Sequence, residues 1–279
     1  MPAPYNAPMR LGIIGGGTIA RLMLEQVKRG LMGEATPVGI MGRSAASKGV
    51  ALAREFGIGF AADLDAFIAL KPDVVVEAAS HDAVRQYGAR LLDANVSLIV
   101  LSGGALCDDA LRDQLESVAA RRHALLYVPS GGIGGLDALK AACIAGADQV
   151  EIEVTKPPAA WKGIDYVERL GVNLDALSVP LTLFDGSARE GVPHFPQNVN
   201  IAAVLSLAGI GFDRTRLKVV AVPGLKLNTH FINVSGPAGR ISIKFESVPS
   251  PDNPKTSMLA CYSALAAIRQ YGARARYGT

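Results

Sequence analysis

One stretch restricts the possible folds more than any other. "RLGIIGGGTIARLMLEQV" passes from an apolar strand at Leu11–Ile14 through three consecutive glycines into a helix with Ile19, Leu22, Met23 and Val27 on one face. Strand, tight turn and helix in this order open a parallel α/β sheet. Within the turn, Gly15, Gly17 and Ala20 fit G-x-G-x-x-A. The first glycine of that pattern makes the turn and the second lets a pyrophosphate approach the backbone. The small third residue lets helix and strand touch. The helix N-terminus, with Thr18 and Ile19 in its first turn, then faces the phosphates.

Four more apolar runs follow: "TPVGIMG" (36–42), "PDVVVEAAS" (72–80), "VSLIVLSGGAL" (96–106) and "ALLYVPSGG" (124–132). They are continuous rather than alternating, and helical segments such as "DAVRQYGARLLDA" separate them, so they read as parallel strands buried on both faces. The expected fold is therefore α/β, with a doubly wound parallel sheet of Rossmann type. Ligands of such sheets lie at the carboxyl ends of the strands. That rule places Ala79, Ser80, His81, Ser102, Gly103, Gly131 and Gly132 near a dinucleotide, although ordinary turn chemistry accounts equally well for any one of these residues. At the end of the second run, where an NAD-selective fold has an acid for the ribose 2′-hydroxyl, the chain reads "GIMGRSAASK". Arg43 and Ser44 stand there instead and suit a 2′-phosphate, which makes NADP acceptable beside NAD. The alternatives are an Arg43 that stacks on adenine, or Arg21 or Lys48 as the phosphate partner.

From about Ala147 the pattern changes to alternation. Val150, Ile152 and Val154 alternate with Glu151, Glu153 and Thr155, and later Ile241, Ile243 and Phe245 alternate with Arg240, Ser242 and Lys244. An open sheet with one buried and one polar face follows, and "SGPAG" (235–239) suits a hairpin turn between two of its strands. In "LKLNTHFINVSG" (225–236), Leu225, Leu227 and Phe231 fall on one face and Lys226, Asn228 and His230 on the other, so His230 is expected opposite the apolar side. "NPKTSMLACYSALAAIRQYG" is expected to open a helix at Asn253 and Pro254 with Met258, Leu259, Tyr262, Leu265 and Ala266 on one stripe. The expected organisation is a nucleotide-binding domain at 1–130, a second α/β domain at 131–250, and a C-terminal helix in 251–279 that packs back on the first domain.

Composition narrows the setting. A net charge of +3 over 279 residues implies no nucleic-acid partner, and the basic C-terminal "RQYGARARYG" reads as a solvated tail. Cys107, Cys143 and Cys261 are far apart, with no C-x-x-C pair and no histidine at metal-ligand spacing, so a reduced, metal-free cytoplasmic protein is expected. With no secretory apolar stretch in "MPAPYNAPMR" and no apolar run of about 18 residues elsewhere, neither export by a classical signal nor membrane spanning is expected.

"GIIGGGTIA", "VVEAAS", "PSGGIGGLDAL", "TKPP", "FPQNVNIAA", "NTHFIN" and "NPKTS" occur in an order that resembles the L-aspartate dehydrogenases over nearly the whole chain. The resemblance implies a Rossmann domain, a catalytic and dimerisation domain over 131–250, and a homodimer. It implies oxidation of L-aspartate by NAD or NADP to iminoaspartate, which feeds pyridine nucleotide biosynthesis or hydrolyses to oxaloacetate and ammonia. It makes His230, in N-x-H-x-I, the catalytic residue, and assigns nucleotide contacts to Asn200 and to the segment around Gly132, where this chain has Gly for the family's Ala. Removing a proton from the substrate amine suits a histidine titrating near neutrality, while orienting the substrate and activating the water that hydrolyses the imine remain open as roles for His230. Lys156, Asn198 and Asn228, with Lys255, Thr256 and Ser257 at the expected helix start, are the candidate substrate contacts. His194 competes with His230 but precedes its motif and reads as loop structure. A reductase of homoserine-dehydrogenase or dihydrodipicolinate-reductase type, or a non-enzymatic NADP sensor, is the alternative reading of the same plan.

Overall fold

A computed structural model describes residues 8–196, 198–250, 253–273 and 275, without the side chains of 249, 250, 253–257 and Gly272. Contacts divide it into two units: one runs to Pro129 and takes in the helix from Cys261 onward, and the other is Ser130–Ala260.

The first unit is built on six parallel strands, β1 (Met9–Ile14), β2 (Ala35–Met41), β3 (Gly59–Ala61), β4 (Val74–Glu77), β5 (Ser97–Val100) and β6 (Leu126–Tyr127). Their spatial order is β3-β2-β1-β4-β5-β6, the arrangement of dinucleotide-binding sheets. The helices between them are α1 (Thr18–Lys28), α2 (Lys48–Phe56), α3 (Leu64–Ala69), α4 (His81–Asp93) and α5 (Asp109–Arg122). The apolar runs lie where the strands form, but β3 is too short to leave a run, and the tail of the fourth run becomes a 3-10 turn at Gly103–Cys107. Leu11, Ile13, Ile40, Val74, Val76 and Ile99 from the strands form a single buried cluster with Met23 and Leu24 of α1 and Leu52 and Ala53 of α2. Each large member contributes roughly 1.5–3 kcal/mol by leaving water. Ala264, Leu265, Ala267 and Ile268 belong to the same cluster.

The second unit holds α6 (Leu136–Ile144), β7 (Gln149–Lys156), α7 (Asp165–Arg169), β8 (Leu181–Ser187), α8 (Ala188–Gly191), α9 (Asn200–Ala208), β9 (Thr215–Ala221), β10 (Asn228–Gly236) and β11 (Gly239–Ser247). Its sheet has the order β11-β10-β7-β9-β8. Val150, Ile152 and Val154 of β7, Leu217 and Val219 of β9, and Ile232 and Val234 of β10 are buried. Register puts them on one face, with Ile152 opposite both Leu217 and Ile232, and Val154 opposite both Val219 and His230. α6 packs on β10, α9 packs on β9, and the two helices pack on each other. The other face carries charge: Lys218 bridges to Glu153 at 2.9 Å and Arg216 to Asp185 at 2.9 Å.

Two expectations change here. Phe231 is 38% exposed on the charged face, whereas His230 shares the buried face with Ile232 and Val234. The segment of Leu225 and Leu227 precedes β10 and is irregular, so their spacing from Phe231 does not report a strand face. The C-terminal helix, α10 (Met258–Gly272), starts later than expected because Asn253–Ser257 forms β13, paired with β12 (Pro249–Ser250). Its buried stripe is Cys261, Ala264, Leu265 and Ile268, while Leu259 and Tyr262 are 40% and 46% exposed.

Candidate functional site

The second unit gathers polar side chains where polar side chains are costly to bury. Lys156 ends β7 and Asn228 begins β10. Because Thr229 lies opposite Thr155 in these antiparallel strands, the two residues meet at the same end of the sheet on the buried face. Lys156, Asn198, Asn228 and His230 are 3%, 5%, 1% and 2% exposed. The Lys156 ammonium donates to the backbone carbonyl and to Oδ1 of Asn198, in the loop before α9, at 3.2 and 3.0 Å. It also stands 5.5 Å from the ring centre of Trp161, whose 3-10 turn (Pro158–Trp161) follows directly on β7. Around this lysine, four buried polar atoms have no hydrogen-bond partner among the described residues: Asn228 Nδ2 and Oδ1, His230 Nδ1 and Trp161 Nε1. A buried donor or acceptor left unpaired costs about 1–3 kcal/mol. A cluster of them around a cation suits a polar ligand that carries both anionic and hydrogen-bonding groups.

Burial pushes the His230 imidazole down from 6.5 to about 3, the Lys156 ammonium adds to the shift, and a backbone contact at Thr229 opposes it. His230 is consequently neutral at ordinary pH and free to accept a proton, and it is a weaker base than a histidine near neutrality. An anion bound between it and Lys156 reverses the second cause and strengthens it.

His194 has a different environment. Its ring stacks on Tyr166 with centroids 4.3 Å apart, and both line a cavity of about 340 Å³ together with Arg169 and Asn198. His194 ends a 3-10 turn, Val192–His194. Lys255, Thr256 and Ser257 lie in β13, which leads directly into α10 at Met258, and their side chains fall outside the described residues. Gly132 is buried in the loop before α6, and Asn200 is the first residue of α9.

In the first unit, Gly15 adopts φ +104°, and a Cβ there would stand 2.6 Å from the Ala78 carbonyl oxygen. A Cβ on Gly17 would meet nothing within 4 Å. α1 begins at Thr18 and Ile19 without a side-chain cap, which leaves its first-turn N–H groups for a ligand. These residues fit a dinucleotide pyrophosphate. Arg43 and Ser44 follow β2 and are exposed, whereas Arg21 is held in a two-pronged pair with Glu55 at 2.8 and 2.8 Å. Ala79 and Ser80 follow β4, Ser102 follows β5, and all three are tied to the Glu77 carboxylate.

Sequence reasoning passed over Trp161 and Glu77. Each left a signal: Trp161 is the chain's one tryptophan, five residues past Lys156, and Glu77 is an acid closing the otherwise apolar run "VVVE".

Residues 137–271 match the family described as "Aspartate dehydrogenase, C-terminal", and residues 11–129 match "Homoserine dehydrogenase, NAD binding domain". The chain is 46% identical over 198 residues to the L-aspartate dehydrogenase of Methanosarcina acetivorans, covering 71% of this chain and 73% of that one. It is 41% identical over 274 residues to L-aspartate dehydrogenase 2 of Bordetella pertussis, covering 96% and 99%. Among solved structures, the aspartate dehydrogenase of Thermotoga maritima superposes with a TM-score of 0.73 at 27% identity, covering 97% and 99%. With identity above 40% across almost the full length of the Bordetella relative, this chain belongs to the L-aspartate dehydrogenase family.

Proposed function

We propose that this chain catalyses the NAD(P)-dependent oxidation of L-aspartate to iminoaspartate and the reverse reductive amination. The observation that carries the reading is the set of unpartnered buried polar atoms around Lys156. Aspartate brings two carboxylates and one ammonium, and the site offers complementary groups. The Lys156 ammonium and the N–H groups of Asn228 and Trp161 suit carboxylate oxygens. Asn228 Oδ1 and the His230 imidazole suit the substrate ammonium.

His230 then has a defined task. The substrate nitrogen must lose a proton before its lone pair can form a C=N bond, and a neutral imidazole accepts that proton. When bound, the dinucleotide would supply the acceptor for the hydride that leaves Cα. With the proton held on His230, the C=N bond forms as the Cα–H bond breaks, and the imidazolium is stabilised by the substrate carboxylates beside it. Burial of the cluster excludes water and strengthens each of these contacts.

Gly15, Gly17, Thr18, Ile19, Ala79, Ser80 and Ser102 hold the dinucleotide in this reading, with Gly132 and Asn200 as the contacts the family resemblance adds. Arg43 and Ser44 accommodate NADP as well as NAD, supported by the absence of an acid after β2 and by the engagement of Arg21 with Glu55. Lys255, Thr256 and Ser257 remain proposed carboxylate contacts. A homodimer working in the cytoplasm, its product feeding pyridine nucleotide synthesis or hydrolysing to oxaloacetate and ammonia, completes the proposal on the strength of the resemblance.

Steady-state kinetics followed at the nicotinamide absorbance, with L-aspartate, aspartate semialdehyde and cyclic imines as substrates and each dinucleotide in turn, test it. Turnover of L-aspartate is expected; turnover of the aldehyde or imines alone would overturn it.

A further inference from the structure

Glu77 is buried to 1% exposure at the carboxyl end of β4, the sheet edge where dinucleotides bind. Its Oε1 accepts from the backbone N–H groups of Ala79 and Ser80 at 2.8 and 2.8 Å and from the Ser102 hydroxyl at 2.9 Å. Its Oε2 accepts from the Ser102 backbone N–H at 3.0 Å. One carboxylate thus gathers donors from the loop after β4 and the loop after β5. The same corner meets the glycine turn. Ala78 donates to the Ile14 carbonyl at 2.9 Å, and its own carbonyl fills the space a Cβ on Gly15 would need.

We propose that Glu77 is a positioning residue for the dinucleotide: its four hydrogen bonds set the loops after β4 and β5 against the glycine turn in the shape that receives the cofactor. The proposal rests on the dinucleotide reading of the first unit. Burying a carboxylate is costly unless it is fully hydrogen-bonded, and a strand end needs no carboxylate for packing, since Val74, Val75 and Val76 fill the rest of β4 with apolar side chains. What an apolar residue cannot do is collect three backbone N–H groups from two loops, groups that have no strand or helix partner among the described residues. Glutamine at this place keeps the size and the Oε1 acceptor, but turns an N–H₂ group toward the Ser102 N–H. Donor then faces donor, and the loop after β5 is released first.

Amide hydrogen exchange and calorimetric titration with NAD and NADP, on the full chain without substrate, separate the possibilities. In the wild type, the Ala79, Ser80 and Ser102 amides are expected to be protected together before any dinucleotide is added. Rapid exchange at all three overturns the proposal even if no variant folds. In Glu77→Gln, Ser102 exchange should rise at least about tenfold and dinucleotide Kd should weaken about tenfold. The KM for dinucleotide should also rise more than the KM for L-aspartate. Val76→Ala is the control: it removes fully buried apolar volume from the neighbouring position of the same strand, so it lowers the melting temperature while leaving Kd within about twofold. An unchanged Kd in Glu77→Gln, or an equal weakening in Val76→Ala, overturns the positioning role. A wild type that binds neither dinucleotide overturns the cofactor reading itself, whatever the exchange pattern shows.

Discussion

Lys156 donates to both oxygens of Asn198, the backbone carbonyl at 3.2 Å and Oδ1 at 3.0 Å, so the last residue of β7 and the loop before α9 fix one ammonium at the centre of the buried polar cluster. A lysine held this way reads a carboxylate as a positioned charge. Lys156→Met should raise the KM for L-aspartate by roughly ten- to a hundredfold, the scale of a lost charge-assisted hydrogen bond of about 1.5–3 kcal/mol. The KM for dinucleotide should stay within about twofold. An unchanged aspartate KM removes Lys156 from the substrate site.

His230→Asn should lower kcat for aspartate oxidation by roughly 10² or more, the usual contribution of a positioned acid–base group, with dinucleotide affinity little altered. His194→Ala, which loses a stacking contact with Tyr166, should keep most of its kcat. The opposite pair of results would transfer the catalytic role to His194.

Stability against acid should report the same histidine. His230 stays neutral in the folded chain down to about pH 3, whereas in the unfolded chain it binds a proton near 6.5. Between these values the unfolded state holds more protons, so the stabilising contribution is complete above about 6.5 and is lost as pH falls toward 3. The full shift corresponds to roughly 5 kcal/mol, about half of which is lost by pH 4.5. Urea unfolding at pH 7 and pH 4.5 should show a larger loss in the wild type than in His230→Asn; equal losses would assign the acid sensitivity to other groups.

Neighbouring glycines of the turn should separate fold from binding. A Cβ on Gly16 would stand 2.3 Å from the Gly49 backbone nitrogen, whereas one on Gly17 meets nothing within 4 Å. Gly16→Ala should cost about 1–3 kcal/mol of stability through overpacking. Gly17→Val, at an extended backbone position with φ −89° and ψ −166°, should change stability by less than about 1 kcal/mol yet weaken dinucleotide binding at least about tenfold, since its side chain occupies the space for the pyrophosphate. Thermal melts beside calorimetric Kd values check both, and a Gly17→Val protein that binds normally would falsify the assignment of the loop.

Arg43 should decide the choice of dinucleotide. Arg43→Ala should weaken NADP binding by about 1.5–3 kcal/mol, or ten- to a hundredfold, and affect NAD much less. Comparable losses for the two would show that its guanidinium stacks on adenine instead of gripping the 2′-phosphate.

What the sequence determined alone were the features that live in consecutive residues. The glycine turn between strand and helix, the continuous apolar runs of a parallel sheet and the later change to period two each report a local conformation. β1, β2, β4 and β5 and the second sheet's alternating strands form where those patterns place them. His230, Lys156 and Asn228 were legible as residues of interest for the motifs around them. Their surroundings were not. Whether His230 faces the core or solvent depends on its pairing with Val154, 76 residues earlier in the chain, and the spacing of Leu225 and Leu227, just before β10, put Phe231 inside in its place. The shift of its pKa needs the Lys156 charge, which only the β7–β10 register brings near. Glu77 shows the same limit: two of its donors are two and three residues away, but Ser102 is 25 residues away, and only the parallel pairing of β4 with β5 makes one carboxylate the partner of both loops. Periodicity fixes which conformation a segment takes, because its causes are steric and local. Desolvation, charge proximity and the partners of a buried polar atom are sums over neighbours from distant parts of the chain, and these the tertiary structure decided.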